Sequence, residues 1–479
     1  VRPGQLLTLD EIADRLERVL ELATPDATEI AWIETSGGEA SSEQGDGSVL
    51  PLRRTVMIRV REGARYGTYA TGSPEPGEIL AAVRQAVAAS RAAEPLRLAG
   101  PWTEPPGDAA EPADDGEQNR PRARRTARRR GNDGAAGLWD DRLGQLEPDA
   151  AHRSLTELAD HSRDSGVPGA RLGLDWRRLR VVVRTTEGLD RRAEATAATF
   201  SATVSSLSRS EGRRPTGRAA SAARSLDGLA AESVIERAHA RVPDIPEEVD
   251  AAAIPLRTDG PLVFSQEAAA ALVSILVHRA FASSSFESER SPLTGLLGEH
   301  VFASAIDLVD DPLDPAGLSF PFDLLGRSAA RIGLIEAGVP RTPAVDGVLA
   351  MRLQLPMTPH ALGPKNARPT HPFLLAHHGA DEVLAAADGG LWIGGFETLE
   401  CFDPGRVAVR GRCRGVRRVR GGALAEPVAP VLWEDSLLRL FSKVAALGGE
   451  PVVRMEDGGL GGVSAPLVCV EGAEALRPA

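Results

Sequence analysis

A helix that is apolar all round must be wrapped on every side, and this chain contains one. The stretch "ALVSILVHRAFASSSF" (residues 271–286) sets Leu272, Val273, Ile275, Leu276 and Val277 in close succession and ends the run on a single histidine, His278. Such a segment does not suit a surface position and demands a core large enough to enclose it. With 479 residues the chain is longer than one core usually serves, so two or three units are expected. After the helix, Gly and Pro recur every few positions. Between them lie short β-rich runs: "VFASAIDLV", "GLWIGGFETL", "RVAVRGRCRGVRRV" and "PLVCVEG". That alternation predicts a mostly antiparallel β domain. An amphipathic helix, "EDSLLRLFSKVAALG", is expected to interrupt it near the end.

The first half reads differently. Thr8 and Glu11 have capping-box spacing, and Ile12, Leu16, Val19 and Leu20 follow at helical intervals until Pro25. "ATEIAWIET" and "TVMIRVREG" read as strands, and Ser73-Pro74 as the opening of a helix with Ile79, Leu80, Val83 and Val87 on one face. Farther on, "LRVVVRTTEGLDRRAEATAATFSATVSS" has two β-rich arms around a Glu187-Gly188 turn, and "GLAAESVIERAHARV" reads as a helix. The fold class is therefore α+β: an N-terminal mixed helix/strand domain and a C-terminal, mostly antiparallel, β-rich domain. The expected boundaries are 1–103, a charged insert 104–137, a central strand-and-helix segment 138–250, and 251–479. The insert runs from acidic "EPPGDAAEPADDGEQN" into "RPRARRTARRR", a composition that cannot bury a core and predicts disorder.

Composition narrows the function classes. The net charge of −12 argues against a nucleic-acid partner. No apolar run reaches the roughly 18–20 residues that span a bilayer, and the first residues lack a signal peptide's pattern, so no membrane association and a cytoplasmic location are expected. Cys401, Cys413 and Cys469 form no C-x-x-C pair, which argues against both a disulfide framework and a zinc ribbon.

Several colinear segments carry a resemblance. In the first half these are "REGARYGTYATG" and "SPEPGEILAAVRQAVAAS". In the second they are "SPLTGLLGEHVFASAIDLVDDPLDPAG", "FPFDLLGRSAARIGLIEAGVPRTPAVD", "HPFLLAHHGADEVLAAADGGLWIGGF" and the closing "RVAVRGRCRGVRRVRGGALAEPVAPVLWEDSLLRLFSKVAALGGEP". Together they resemble the TldD/TldE (PmbA) family over nearly the whole chain outside the insert. The resemblance implies one half of a paired zinc peptidase. A TldD-type subunit carries H-E-x-x-x-H on a helix and a late cysteine ligand. A TldE-type subunit has the same fold without them, and the pair encloses a channel for small or unfolded peptides.

Zinc catalysis requires three N, S or O ligands, an open position for water, and a nearby carboxylate base. If His278 were the second histidine of the motif, Val273 and Ser274 would stand where histidine and glutamate belong; if it were the first, Arg279 and Ser283 would. The late cysteine segment is replaced by "GGLGGVSAP", and Cys469 beyond it reads as a small buried hydrophobe. The chain is thus expected to be a TldE-like, non-catalytic subunit with no cofactor of its own. The expected partners are a zinc-bearing TldD-like subunit, with which it would form a heterodimer, and a peptide substrate, which the pair would degrade or mature.

Arg410, Arg412, Arg414 and Arg418, with Arg417 and Arg420, alternate with Val and Gly. They are candidates for one strand face lining a channel and holding a carboxylate. His371, His377 and His378 form the densest histidine group and are the alternative metal site. Asp307, Asp310, Asp311 and Asp314 read as turn formers because Asp-Pro pairs initiate turns. A rival reading is a stand-alone peptide- or carrier-binding protein of a biosynthetic pathway, docking through the arginine-rich strand.

Overall fold

The computed structural model describes residues 7–43, 47–95, 137–167, 169–206, 216–242, 260–363, 366–429, 431–472 and 476–478. All but the last residue of the expected insert 104–137, its basic run included, lies outside them.

The first helix, α1 (Leu9–Glu21), starts as its sequence dictates. The Thr8 hydroxyl accepts from the Glu11 amide at 3.1 Å, and the Glu11 carboxylate accepts from the Thr8 amide at 2.8 Å. There follow β1 (Ala27–Ser41), β2 (Ser48–Glu62), β3 (Arg65–Thr71) and α2 (Pro76–Ala92). Then come α3 (Asp141–Gly144), α4 (Pro148–Asp164), β4 (Ala170–Thr185), β5 (Asp190–Ser205), β6 (Thr216–Ala223) and α5 (Ala231–Ala240). The six strands form one antiparallel sheet in the order β3-β2-β1-β4-β5-β6, so segments from both sides of the insert share it. Alternation along β1 divides its two faces. Ile30 and Trp32 meet α1 and α2, whereas Ala31 turns to the other face, toward Phe320, Phe322 and Leu324.

Two sequence expectations need correction here. The second helix begins at Pro76 rather than at Pro74, because Ser73 and Pro74 lie in the connection after β3. The 17-residue helix α4 was not anticipated, although Pro148 sits at its first turn and Ala151, Leu155 and Ala159 form its buried stripe.

The second half opens with β7 (Leu262–Phe264) and α6 (Gln266–Ala280), then α7 (Ser283–Glu287), β8 (Leu308–Asp310), β9 (Ile332–Glu336), β10 (Val339–Pro340) and α8 (Gly347–Leu353). It continues with β11 (Ala361–Gly363), β12 (Asn366–Ala367), β13 (Pro372–Leu374), α9 (Ala380–Ala386), β14 (Leu391–Ile393), β15 (Gly395–Asp403) and β16 (Ala408–Arg414). The last elements are β17 (Arg417–Arg420), β18 (Ala423–Pro427), β19 (Val431–Ser436), α10 (Leu437–Ser442), β20 (Val444–Glu456), β21 (Gly461–Val470) and β22 (Leu476–Pro478). The larger sheet runs β10-β9-β8-β13-β21-β7-β14-β17-β18, with β20 also on β21; a second sheet runs β15-β16-β19-β22. Pairing is antiparallel except for β13 with β21 and β14 with β7. The architecture is α+β, as the sequence predicts.

Helix α6 occupies the centre of this half. Leu272, Val273, Leu276 and Val277 are buried with Phe264, Phe281, Trp433 and Phe441 in one core. Burying each leucine contributes on the order of 1.5–3 kcal/mol. Two elements are shorter than their sequence implies. "VFASAIDLV" is strand only in its last part, within Leu308–Asp310, and "EDSLLRLFSKVAALG" is helical only over Leu437–Ser442. From Val444 onward its residues enter β20 and pair along β21, so the ladder overrides the helical spacing. Among the described residues no helix is long and apolar enough to cross a membrane.

One buried cation joins the halves. The Arg224 guanidinium donates to the carbonyls of Thr196 (3.1 Å), Gly459 (2.7 Å), Leu318 (2.8 Å) and Ser319 (2.8 and 3.2 Å). Burial pulls its pKa down to about 9, which leaves it charged at neutral pH.

Candidate functional site

The all-round apolar reading of α6 needs one amendment: a single face departs from it. Glu267, Ala271, Ser274 and His278 succeed one another at the spacing that aligns side chains along a helix. Glu267, Ala271, Ser274 and Ile275 line a cavity of about 510 Å3. Its other walls are Val452–Met455 of β20, Gly395, Phe396 and Leu399 of β15 with Arg414 of β16, and Thr199 and Ala220 of β5 and β6. The cavity therefore lies where the six-stranded sheet meets the C-terminal half, with the Arg224 clamp joining those same two parts.

The polar groups of this face are tied to partners. Both Glu267 oxygens accept from Arg241 Nη1 at 2.9 Å, and one accepts from the Ala220 amide at 3.1 Å. Burial alone would raise the Glu267 pKa, but the charge and hydrogen bond of Arg241 outweigh it and hold the carboxyl below its usual value. Ser274 donates its hydroxyl to Glu456 Oε1, and His278 Nε2 lies 3.3 Å from Glu456 Oε2. Glu456, at the end of β20, thus bridges the two α6 positions nearest the zinc-motif register. The donors themselves do not fit zinc. In the register with His278 second, Val273 is buried in the core and Ser274 takes the glutamate position; with His278 first, Arg279 and Ser283 take the motif positions; and the Gly461–Pro466 stretch of β21 offers no thiolate or imidazole. Among the described residues no group of three or more His, Cys, Asp or Glu side chains is placed to hold a metal ion. Cys413 and Cys469 are buried thiols, pushed up by burial to about 12 and about 11, respectively.

The candidate histidines stand in separate environments. His371 is buried; its Nε2–H donates to the Leu318 carbonyl, and its Nδ1 accepts from the Thr370 hydroxyl at 2.8 Å. Both ring nitrogens are occupied. His377 lies 3.6 Å from Asp307, and His378 lies 3.2 Å from Glu382. Of the four predicted turn aspartates, Asp311 and Asp314 open turns, whereas Asp310 is the buried last residue of β8 and Asp307 accepts from the Ala337 amide at 2.7 Å. Asp311 and Asp314 accept from amides two residues on, and Asp310 accepts from the amides of Thr370 and His371.

The arginine row splits in two. Arg410, Arg412 and Arg414 share β16, but Arg417, Arg418 and Arg420 lie on β17 in the other sheet. Gly415, at φ +60, turns the chain between them, a conformation few other residues adopt cheaply. Arg418 is buried against Glu426 at 3.5 Å, and Arg420 reaches the same carboxylate at 2.6 Å. Arg410 pairs with Glu400 and Arg412 with Glu397 at 3.2 Å; both line an open concavity of about 860 Å3 on the β15-β16-β19 surface. Arg414 instead faces inward, toward the α6 cavity. Sequence reasoning missed Glu267, the polar contact of Ser274, and their partners Arg241 and Glu456. The polar positions along one face of an otherwise apolar helix were the available signal for the first two.

Residues 257–475 match the family described as PmbA/TldA metallopeptidase C-terminal domain. Among solved structures, a Thermotoga maritima protein described as a candidate modulator of a DNA gyrase is 18% identical, with 97% of this chain and 99% of that chain covered at a TM-score of 0.73. TldE from Thermococcus kodakarensis is 20% identical over 96% and 99%, with a TM-score of 0.71. A Bacteroides thetaiotaomicron protein described in the same gyrase-modulator terms is 16% identical over 97% and 98%, with a TM-score of 0.66. These likenesses show a shared fold along the whole chain. No curated protein matches by sequence.

Proposed function

Since the chain belongs to the PmbA/TldD metallopeptidase family through its C-terminal half, residues 257–475, we propose that it is a TldE-like, non-catalytic subunit. In this reading it supplies one wall of a peptide channel to a zinc-bearing TldD-like partner in the cytoplasm, and the partner performs the hydrolysis. Residues 1–103 and 138–250 act together as the sheet side of that wall, and 251–479 as the side that carries α6. The observation that carries the reading is the cavity face of α6. By the resemblance α6 corresponds to the family's ligand-bearing helix; it opens onto a cavity, and the motif positions around His278 would fall on Val273 and Ser274 in one register and on Arg279 and Ser283 in the other. A wall of this kind sets which peptides enter without touching the reacting atoms.

The test is zinc content and peptidase activity of the full chain, alone and co-purified with a TldD-like homologue. Zinc and activity are expected only in the complex, and His278→Ala is expected to leave its zinc content unchanged. Stoichiometric zinc with activity in the lone chain would overturn the proposal.

A further inference from the structure

Beside the α6 cavity lies a smaller one, of about 200 Å3, that shares Arg414 with it. It is lined by Arg218, Arg241, Arg414, Glu397 and Trp392, among others. The charges in and around it do not cancel. Arg241 is matched by Glu267 and lies over the Trp392 ring, 5.4 Å from its centroid. Glu397 is matched by Arg412 at 3.2 Å. That leaves Arg218 and Arg414. Among the described residues neither guanidinium has a hydrogen bond or an ion pair. Burial lowers the Arg414 pKa, the neighbouring Arg218 charge lowers it further, and Glu397 and Glu267 act in the opposite sense.

A half-buried guanidinium next to a like charge, with the nearby carboxylates engaged elsewhere, is arranged to receive an anion. The cavity is too small for a folded partner, but it opens beside the larger cavity proposed above as channel wall. We infer that Arg414, assisted by Arg218, is a carboxylate-binding subsite that anchors one end of a peptide in the channel. This rests on the channel reading and adds chemistry to it. The peptide is gripped by a carboxylate, at its C-terminus or on an acidic side chain, while Glu267 and Arg241 hold the subsite wall in place.

The test uses three alanine tetramers carrying a neutral coumarin on the N-terminus: a free acid, its C-terminal amide, and an amide with one internal Asp. Binding to the full chain is followed by anisotropy. The free acid is expected to bind at least about ten-fold tighter than the plain amide, a difference of about 1.4 kcal/mol. Arg414→Leu should remove that difference without weakening the amide, and Arg414→Lys should keep part of it. If the Asp-bearing amide binds as tightly as the acid, the subsite stands and a side chain can supply the carboxylate. Equal binding of acid and plain amide would overturn the subsite but leave the channel reading intact. No binding of any probe would count against both.

Discussion

Replacing Arg224 with methionine tests whether one buried cation holds the two halves in register. Methionine approximates the aliphatic stem but removes every donor that now meets four backbone carbonyls, from Thr196, Leu318, Ser319 and Gly459. A buried acceptor left unsatisfied costs about 1–3 kcal/mol, so four would cost up to roughly 12 if none found water. Burying the guanidinium itself carries a desolvation penalty of several kcal/mol, which methionine avoids. The net expectation is a loss of about 3–5 kcal/mol, among the larger single-site effects. The assay is urea unfolding followed by tryptophan fluorescence, with Trp32 and Trp176 reporting the first sheet and Trp433 the C-terminal core. The midpoint should fall by on the order of 1 M at unchanged slope. Arg224→Lys should lose most of the same stability, because one ammonium cannot span carbonyls that a guanidinium fork reaches from several sides. A methionine variant within about 0.3 M of the parent would refute the reasoning.

His371 makes stability depend on pH. Burial, reinforced by Arg224 and opposed by Asp310, pushes its pKa down from 6.5 to about 4. Between those values the unfolded chain binds a proton that the folded chain refuses. Stability is therefore full above pH 6.5 and falls as pH drops toward 4, by up to about 1.4 kcal/mol per unit. Urea midpoints at pH 7, 6 and 5 should converge on those of His371→Gln as the pH falls; parallel curves would sink the argument. Glycine requirements can be checked with a pair of variants. A Cβ on Gly67 would stand 1.8 Å from the Ala86 carbonyl oxygen, so Gly67→Ala should push β3 off α2 and cost roughly 3 kcal/mol. Gly77, in the first turn of α2, has open space around its Cβ position, and Gly77→Ala should raise stability by about a few tenths of a kcal/mol. Shifts of the same sign in the two variants would contradict the packing.

Local features of the sequence were the readable ones. The Thr8–Glu11 capping box and the apolar run of α6 are each set by residues a few positions apart, and both helices form, although α6 starts earlier than the 271–286 reading, at Gln266, and ends at Ala280, with Ser283–Glu287 a separate short helix. The arginine row misled because its alternation continues across Gly415. Nothing local tells a reader that residues before the glycine join one sheet and residues after it another. The late helix misled for the opposite reason: its helical spacing was real, but β21 offered pairing along most of the same residues. The site was the least legible part. Ser274 and its acceptor Glu456 are 182 positions apart, and Ala220 and Glu267 are 47 apart, so their meeting is a product of topology.

The charge pattern around α6 separates structural residues from those free to act. Glu267 and Ser274 line the cavity from a helix otherwise sunk in a core, His278 continues their face, and Glu456 reaches Ser274 and His278 from the end of β20, so each of the four already has a partner supplied by this chain. Polar groups on a buried helix are tolerated when they are satisfied, so these four hold the wall without requiring a ligand. Arg410 and Arg412 are matched as well, across the strand pair to Glu400 and Glu397, and an exposed pair of this kind contributes at most about 1 kcal/mol. Arg414 differs from its neighbours on β16 in both respects: it turns inward, and the nearby carboxylates belong to other arginines. An arginine that served only to join β16 to α6 would take Glu267 for itself. Glu267 is held instead by Arg241 through two oxygens, which leaves the Arg414 guanidinium available where a peptide carboxylate would arrive.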